Sequence, residues 1–281
     1  MSVEEQLSNA VQACNNLTAA VNGKISQIDQ KVNAATSAVP DKIKSSMDAK
    51  LYVDSVNGND ANDGLSQASP KRSILAAVDS VPRSSNLHVM LLGQRVYEID
   101  NDVSCSGKLL IIESYGATWG NPSTRSTIRA KQLTYLGEYK AGQFLTGFGS
   151  EIHINQVNLE TVQFESVTPV YNDYRNSLFS GSSSSSQVWL YGCSVTLNNG
   201  PLMHQHPNGS FGKLDLYMNN VVVSINDAPI PDGKSVIMGH YGMDAIPFAL
   251  YAASVGLPSG KTWTDMVTAN KSAANTNVTF A

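Results

Sequence analysis

Apolar or small residues in the first forty positions recur at alternating steps of four and three: Leu7, Val11, Cys14, Thr18, Val21, Ile25, Ile28, Val32, Ala35 and Val39. A 3.5-residue period held this long predicts a coiled coil. Val11, Thr18, Ile25, Val32 and Val39 take the a positions; Leu7, Cys14, Val21, Ile28 and Ala35 take d. β-Branched residues at d as well as a shift the preference from two strands toward three. Lys24 at g and Asp29 at the following e can pair between chains. Leu7 to Val39 then makes a rod of roughly 50 Å. Pro40 is expected to stop or kink it, with a short second helix from Asp41 to about Lys50 turning Ile43 and Met47 inward. The same stripe would also suit a lone amphipathic helix packed on the rest of the chain. The first aromatic is Tyr52, and the opposite face is Asn, Gln, Ser and Lys, which favours the coil.

After Leu51 the alternation drops to period two. Leu87 to Leu92 and Leu109 to Ile112 are mostly apolar. Ile152 to Leu159, Val188 to Leu197 and Leu214 to Ile225 alternate as half-buried strands do. The last two superimpose at an offset of 26, with Leu190-Tyr191 on Leu216-Tyr217 and Val195 on Val221. Ile154 falls on Leu190 at 36, which leaves room for a loop at Ser182 to Ser186. Self-similarity in this range predicts a solenoid, whose rungs stack because none buries its inner face alone. A β-sandwich has similar strand spacing, but few hairpin signals separate these strands. With Ile152, Val188 and Leu214 inward, His153, Trp189 and Asp215 form one outward column. Asn155, Tyr191 and Tyr217 form the next. Exposed aromatics beside Asn and Asp suit sugar recognition or a subunit interface.

Between stalk and strands lies Tyr52-Val-Asp-Ser-Val-Asn-Gly-Asn-Asp-Ala-Asn-Asp-Gly64, a strand running into turn formers. As a calcium loop begun at Asp60 it lacks the alternating ligands, and Lys71 stands where the twelfth-position Glu belongs. Asx-turns account for it better. Ser69-Pro70 is expected to cap a short helix with Ile74, Leu75 and Val78 inward, ending near Val81-Pro82. Tyr52-Val-Asp54, Gly58 to Gly64, Pro70 and the helix with Ala77-Val-Asp79 together resemble the opening of pectate-lyase-like, right-handed β-helix proteins. The similarity is greatest to phage tailspikes and tail fibres and covers about thirty residues. It implies a strand and helix that cap the first coil. The expected fold is mainly β. A trimeric coiled coil (1–50) precedes a short right-handed parallel β-helix with its capping helix (51–245). A C-terminal cap or trimer tip (246–281) follows, read as an Ala-rich helix, a break at Pro258 to Gly260, a helix with Trp263, Met266 and Val267, and a strand from Asn277 to Phe280.

Composition and charge narrow the functions. A net charge of −4 offers no basic excess for nucleic acid. Low charge with normal apolar content argues against disorder. No run of 18 apolar residues predicts a membrane span, and the acidic start carries no secretory pattern. Asn, Ser and Gly exceed a quarter of the chain, as a turn-rich extended assembly requires. Cys14, Cys105 and Cys193, odd in number and far apart, suit neither a disulfide framework nor zinc and point to folding in a reducing cytosol.

Since tailspikes of this fold often degrade polysaccharide, a carboxylate pair must be considered: Asp215 with Glu160 or Glu165. No spacing demands it, no nucleophile elbow or phosphate loop appears, and no catalytic residue is assigned. His204-Gln-His206 could, in a trimer with this segment at the axis, surround one transition metal, a feature similar to phage fibre tips; a plain surface turn is the alternative. The resemblance and the heptads together imply a homotrimeric tail fibre or appendage of the virion. Residues 1–50 would hold other tail proteins. The β-helix would contact a host-surface glycan or protein through Trp189, Tyr191, Tyr217, Asp215 and His153. The rivals are a polysaccharide-degrading tailspike and a decoration trimer with no receptor role.

Overall fold

The computed structural model describes residues 2–147, 149–165, 174–181, 185–205, 214–226, 235–239, 248–268 and 271–280. The chain divides into two compact units, Met1–Ser46 and Met47–Ala281.

The first unit is one helix, α1 (Val3–Met47). A reciprocal cap opens it: Glu5 N–H donates to Ser2 Oγ at 3.2 Å, and Ser2 N–H to Glu5 Oε2 at 3.3 Å. The expected stop at Pro40 and the separate helix after it are both corrected. α1 runs through Pro40 to Met47, and a strand follows at once. Proline removes one intrahelical bond, a small loss among the bonds of a 45-residue helix. Leu7, Val11, Val21, Ile25, Ile28 and Val32 are 47–65% exposed in the single chain, and the Cys14 thiol is exposed too.

The second unit is mainly β. In chain order its strands are β1 (Asp48–Val53), β2 (Asn86–Leu92), β3 (Val96–Ile99), β4 (Asp102–Ser104), β5 (Leu109–Tyr115), β6 (Thr127–Ala130), β7 (Gln132–Tyr135), β8 (Glu138–Ala141), β9 (Gln143–Thr146) and β10 (Glu151–Asn155). Then come β11 (Asn158–Glu160), β12 (Phe179–Gly181), β13 (Ser186–Tyr191), β14 (Ser194–Leu197), β15 (Met203–Gln205), β16 (Leu214–Ile225), β17 (Met238–Gly239), β18 (Phe248–Gly256) and β19 (Ala274–Thr276). Two short helices, α2 (Ile74–Asp79) and α3 (Trp263–Met266), join them.

Three parallel ladders result. The first runs β1-β2-β5-β10-β13-β16-β18-β19. The second runs β3-β6-β11-β14 and closes on the far half of β16, so both belong to one curled sheet. The third is β4-β9-β12-β15-β17. Among the described residues the β7–β8 hairpin is the one antiparallel pair. Each ladder turns an apolar column inward. Leu87, Leu110, Ile152, Val188, Leu216 and Leu250 are all at most 1% exposed. Tyr97, Ile128, Leu159, Val195 and Val223 form the second column, and Val103, Phe144, Phe179, Met203 and Met238 the third.

Two of the expected single strands are broken at a corner. Gln156 separates β10 from β11 and Gly192 separates β13 from β14, while Asn220 turns within β16 and Ser254 within β18. These four are level in register, and all are left-handed, with φ of 54°, 61°, 54° and 54°. The corner fixes the alignment that the hydrophobic pattern left loose. Trp189 pairs with Tyr217 and Leu190 with Met218, an offset of 28 rather than 26. A two-residue slip keeps every side chain on its own face, so alternation alone fits both registers.

The expected Ala-rich helix is likewise corrected. Phe248–Gly256 is a strand paired along β16, with Phe248, Ala249 and Leu250 buried. Ladder bonds and burial outweigh the helix preference of alanine. The last strand is Ala274–Thr276, upstream of the expected Asn277–Phe280.

The turn run after β1 folds on side-chain oxygens. Asp54 accepts from the Val56 and Asn57 amides, Asn59 from Ala61, and Asp63 from Leu65. Helix α2 is capped by Ser73, not Ser69. Residues 69–71 are instead tied to the loop and to β1, and Asp60 holds the Arg72 and Ser73 amides at 2.8 Å. Lys71 is buried, its ammonium donating to the Asn62 and Asp60 carbonyls at 2.7 and 3.3 Å. The loop thus carries its own cation.

Burial opposes ionisation of Asp54, but the Val56 and Asn57 amides, the Asn57 side chain and the Arg95 guanidinium hold its carboxyl below 3.8. A carboxylate so depressed adds stability above its unfolded value and loses it as pH falls through the folded one. The urea midpoint is therefore expected to drop below about pH 4, with a flatter acid limb in Asp54→Asn. Identical acid limbs would remove this role.

Candidate functional site

The register of the first ladder places His88, Ile111, His153, Trp189, Tyr217 and Tyr251 at one outward position of successive strands. Equivalent residues on parallel neighbours stand about 4.8 Å apart, close to the thickness of a stacked ring. Trp189 and Tyr217 stack with centroids 3.9 Å apart and planes 8° apart. Tyr217 and Tyr251 follow at 5.3 Å and 7°. The His153 ring lies 5.6 Å from Trp189, tilted by 37°. In the next column are Asn155, Tyr191, Asn219 and Ala253. Tyr191 is met by Trp119 at 5.6 Å and 45°.

The rings of His153, Trp189, Tyr191, Tyr217 and Tyr251 line an open depression of about 420 Å³, with Asn155, Asn219 and Asn277 supplying amides, and Trp119 stands at its border against Tyr191. Trp189 Nε1–H donates to Gln187 Oε1 at 3.2 Å, which fixes the indole. His153 Nε2 lies 2.6 Å from Glu151 Oε1, two residues away on the same strand and face. Asn277 clamps β18: its Oδ1 accepts the Ala252 amide and its Nδ2 donates to the Ala252 carbonyl, both at 2.9 Å. Among the described lining residues there is no Asp, Glu, Lys or Arg.

The expected site residues divide accordingly. His153, Trp189, Tyr191 and Tyr217 come together, although Tyr217 stands in the column of Trp189 rather than that of Tyr191. Asp215 is corrected. It is level with Gln187 and Ala249, is 6% exposed, and accepts the Ala249 amide at 3.0 Å. Its carboxylate is spent on the ladder and does not line the depression. Tyr251 escaped the sequence reading because its segment looked helical. Trp119 escaped because it sits in the β5–β6 connection, where no periodicity marks it.

Glu160 and Glu165 line a different groove, of about 440 Å³, with Arg129, Lys131, Gln132 and Asn226. Arg129 Nε contacts Glu160 Oε2 at 2.5 Å, and this bond raises the guanidinium above its ordinary value. Lys131 pairs with Glu98 at 3.0 Å. The expected partnership of Asp215 with either glutamate therefore does not form around one opening.

His204 is 4% exposed on β15, level with Ser180 and Gly239. Its ring is enclosed within its own chain. His206 lies outside the described residues. Among the described residues no three His, Cys, Asp or Glu group as metal ligands. Cys105 and Cys193 are buried, and burial pushes their thiols up to about 12 and about 11, so neither is a nucleophile at neutral pH.

No protein-family model matches the chain, and no curated protein matches it. Among solved structures it is similar to the native GH136 lacto-N-biosidase from Eubacterium ramulus, at 13% identity and a TM-score of 0.38, over 73% of this chain and 40% of that one. The selenomethionine derivative of the same protein gives 15% identity and a TM-score of 0.37, over 74% and 42%. The chain thus spans about two fifths of the length of those structures.

Proposed function

We propose that this protein is a homotrimeric fibre or appendage subunit of a phage tail, built as a coiled-coil stalk and a short right-handed parallel β-helix. On this reading residues 1–50 trimerise and attach to other tail proteins. The aromatic depression binds a glycan on the host surface. One observation carries the binding role: three rings stacked in register on an outer face with a fourth, His153, tilted against them, bordered by amides and with no Asp, Glu, Lys or Arg among the described lining residues. A soluble surface has no internal reason to gather such a strip. The apolar heptad stripe, exposed in the single chain, supports the trimer. The one-strand-per-pass ladders support the β-helix.

The test is binding of the labelled full-length protein to bacterial cells, with and without competing surface polysaccharide. Polysaccharide that displaces the protein supports the reading; binding that survives polysaccharide and disappears after protease treatment of the cells moves the receptor to protein. Cys14 gives an independent check of the stalk. At a d position it is enclosed by a trimer but open in a lone helix, so maleimide labelling is expected to be slow at high protein concentration and fast on dilution. Labelling that is fast at all concentrations would remove the trimer.

A second reading, polysaccharide cleavage, is favoured by Glu160 and Glu165 lining one groove. Two carboxylates about a groove are what glycosidic cleavage needs. Shortened capsule or O-antigen chains after incubation, abolished by Glu160→Gln, would establish it; unchanged chains would end it.

A further inference from the structure

The floor of the depression has a limitation that its ring geometry makes plain. Trp189, Tyr217 and Tyr251 are stacked face to face, so both faces of Tyr217 and one face each of Trp189 and Tyr251 are taken by a neighbouring ring. A sugar's C–H groups are drawn to the electron-rich face of a ring, not to its edge. The site therefore gains from another ring whose faces are outside the stack. Trp119 is such a ring. It is tilted against Tyr191 rather than stacked on it, and is 65% exposed, against 36% for Trp189 and 41% for Tyr191.

The loop that presents Trp119 is held from several sides. Thr118 N–H donates to Thr124 Oγ1 at 2.8 Å, and Asn158 Nδ2 donates to the Pro122 carbonyl at 2.9 Å. Gln156 joins the loop to the corner: its Oε1 accepts the Gly120 amide at 3.4 Å and its Nε2 donates to the Gly192 carbonyl at 3.2 Å. This accounts for a buried glutamine in the left-handed region, where glycine would be easier. It also accounts for glycine at 192, where a Cβ would lie 1.7 Å from Gln156 Nε2. Strain at one residue keeps a large exposed indole in a fixed place, and a preorganised ring loses little freedom on binding.

We propose that Trp119 is the wall of the site, on which an uncharged pyranose lays its C–H face while its hydroxyls meet Asn155 and Asn219, and that Gln156 is its positioning residue. The proposal rests on the glycan-binding reading and adds the ligand's charge class. An acidic sugar would bring a carboxylate against apolar rings with no Lys or Arg among the described lining residues to receive it.

The test uses the full-length protein and a panel of neutral gluco-, galacto- and manno-oligosaccharides, with uronate-containing counterparts, followed by calorimetry and tryptophan fluorescence. At least one neutral oligosaccharide is expected to bind and its uronate counterpart to bind at least tenfold more weakly. Trp119→Ala is expected to lose at least tenfold in affinity, on the scale of an aromatic hot spot. Trp119→Phe should recover most of it. Gln156→Ala should weaken binding and alter the Trp119 emission without lowering the melting temperature as far as a core substitution does. If Trp189→Ala abolishes binding while Trp119→Ala leaves it unchanged, the wall is overturned and the glycan reading stands. Equal affinity for uronates overturns the charge class. No binding of any oligosaccharide or polysaccharide by the unaltered protein overturns the glycan reading itself.

Discussion

On the proposed trimeric reading, changing Ile25 and Ile28 together to aspartate is expected to convert the trimer into single chains of 30.1 kDa while leaving the parallel ladders folded. The two residues are consecutive a and d positions near the middle of α1, each about half exposed in the single chain. Burying an isoleucine side chain contributes about 1.5–3 kcal/mol, and three chains contribute at each layer. Aspartate removes that gain and sets three like charges around one axis, a cost that a seam of this length does not offset. The stalk should lose helicity with its partners, because an isolated helix draws most of its stability from packing. Sedimentation reports the mass and far-ultraviolet circular dichroism the helix. Cell binding should fall by more than any single contact explains, since three linked sites lose their avidity of roughly 10²–10⁴. An unaltered protein that sediments as a monomer would sink the stalk, and with it most of the proposed function.

Trp189→Ala carries the second large effect. Trp189 lies within the ring stack, between His153 and Tyr217. Its removal opens a gap in the strip and frees Tyr217 on one side. Loss of a central aromatic anchor costs about 2 kcal/mol or more of binding, thirtyfold or greater in affinity. The stability cost should be smaller, on the order of 1 kcal/mol, because the ring is partly exposed and its cross-strand contacts are surface ones. His88→Ala, in the same column three strands before Trp189, is the control and should bind as the unaltered protein does. Equal binding by Trp189→Ala and the unaltered protein would assign the stack to strand alignment alone.

The sequence announced some of this and concealed the rest for physical reasons. The long helix was legible because a 3.5-residue period accumulates over ten positions, and several strands because alternation survives any local irregularity. Register was not, since Leu190 fits above Leu216 as well as above Met218 when only inside and outside are known. Equivalent positions His88, Ile111, His153, Trp189, Tyr217 and Tyr251 are separated by 23, 42, 36, 28 and 34 residues. No fixed repeat could reveal that spacing. Asp215 misled because a carboxylate on an outward-facing position reads as solvated, whereas the neighbouring strand presents it with an amide. Ala252 and Ala253 misled because alanine's preference for helix is weak and a waiting strand edge is strong. Trp119 carried no signal at all: its place depends on Gln156 and Asn158, both far along the chain.

The corner formed by Gln156, Gly192, Asn220 and Ser254 separates what is constant from what varies along this chain. It repeats the same left-handed turn while the chain between repeats varies in length, so the differences in length fall in the connections and the ladders keep their register. In the connection that presents Trp119, residues 118–123 are exposed while Arg125 and Ser126 at its end are buried in the scaffold. On the proposed reading a tail could follow a changing host surface by altering such exposed loop tips while the buried loop ends and the ladders stay the same.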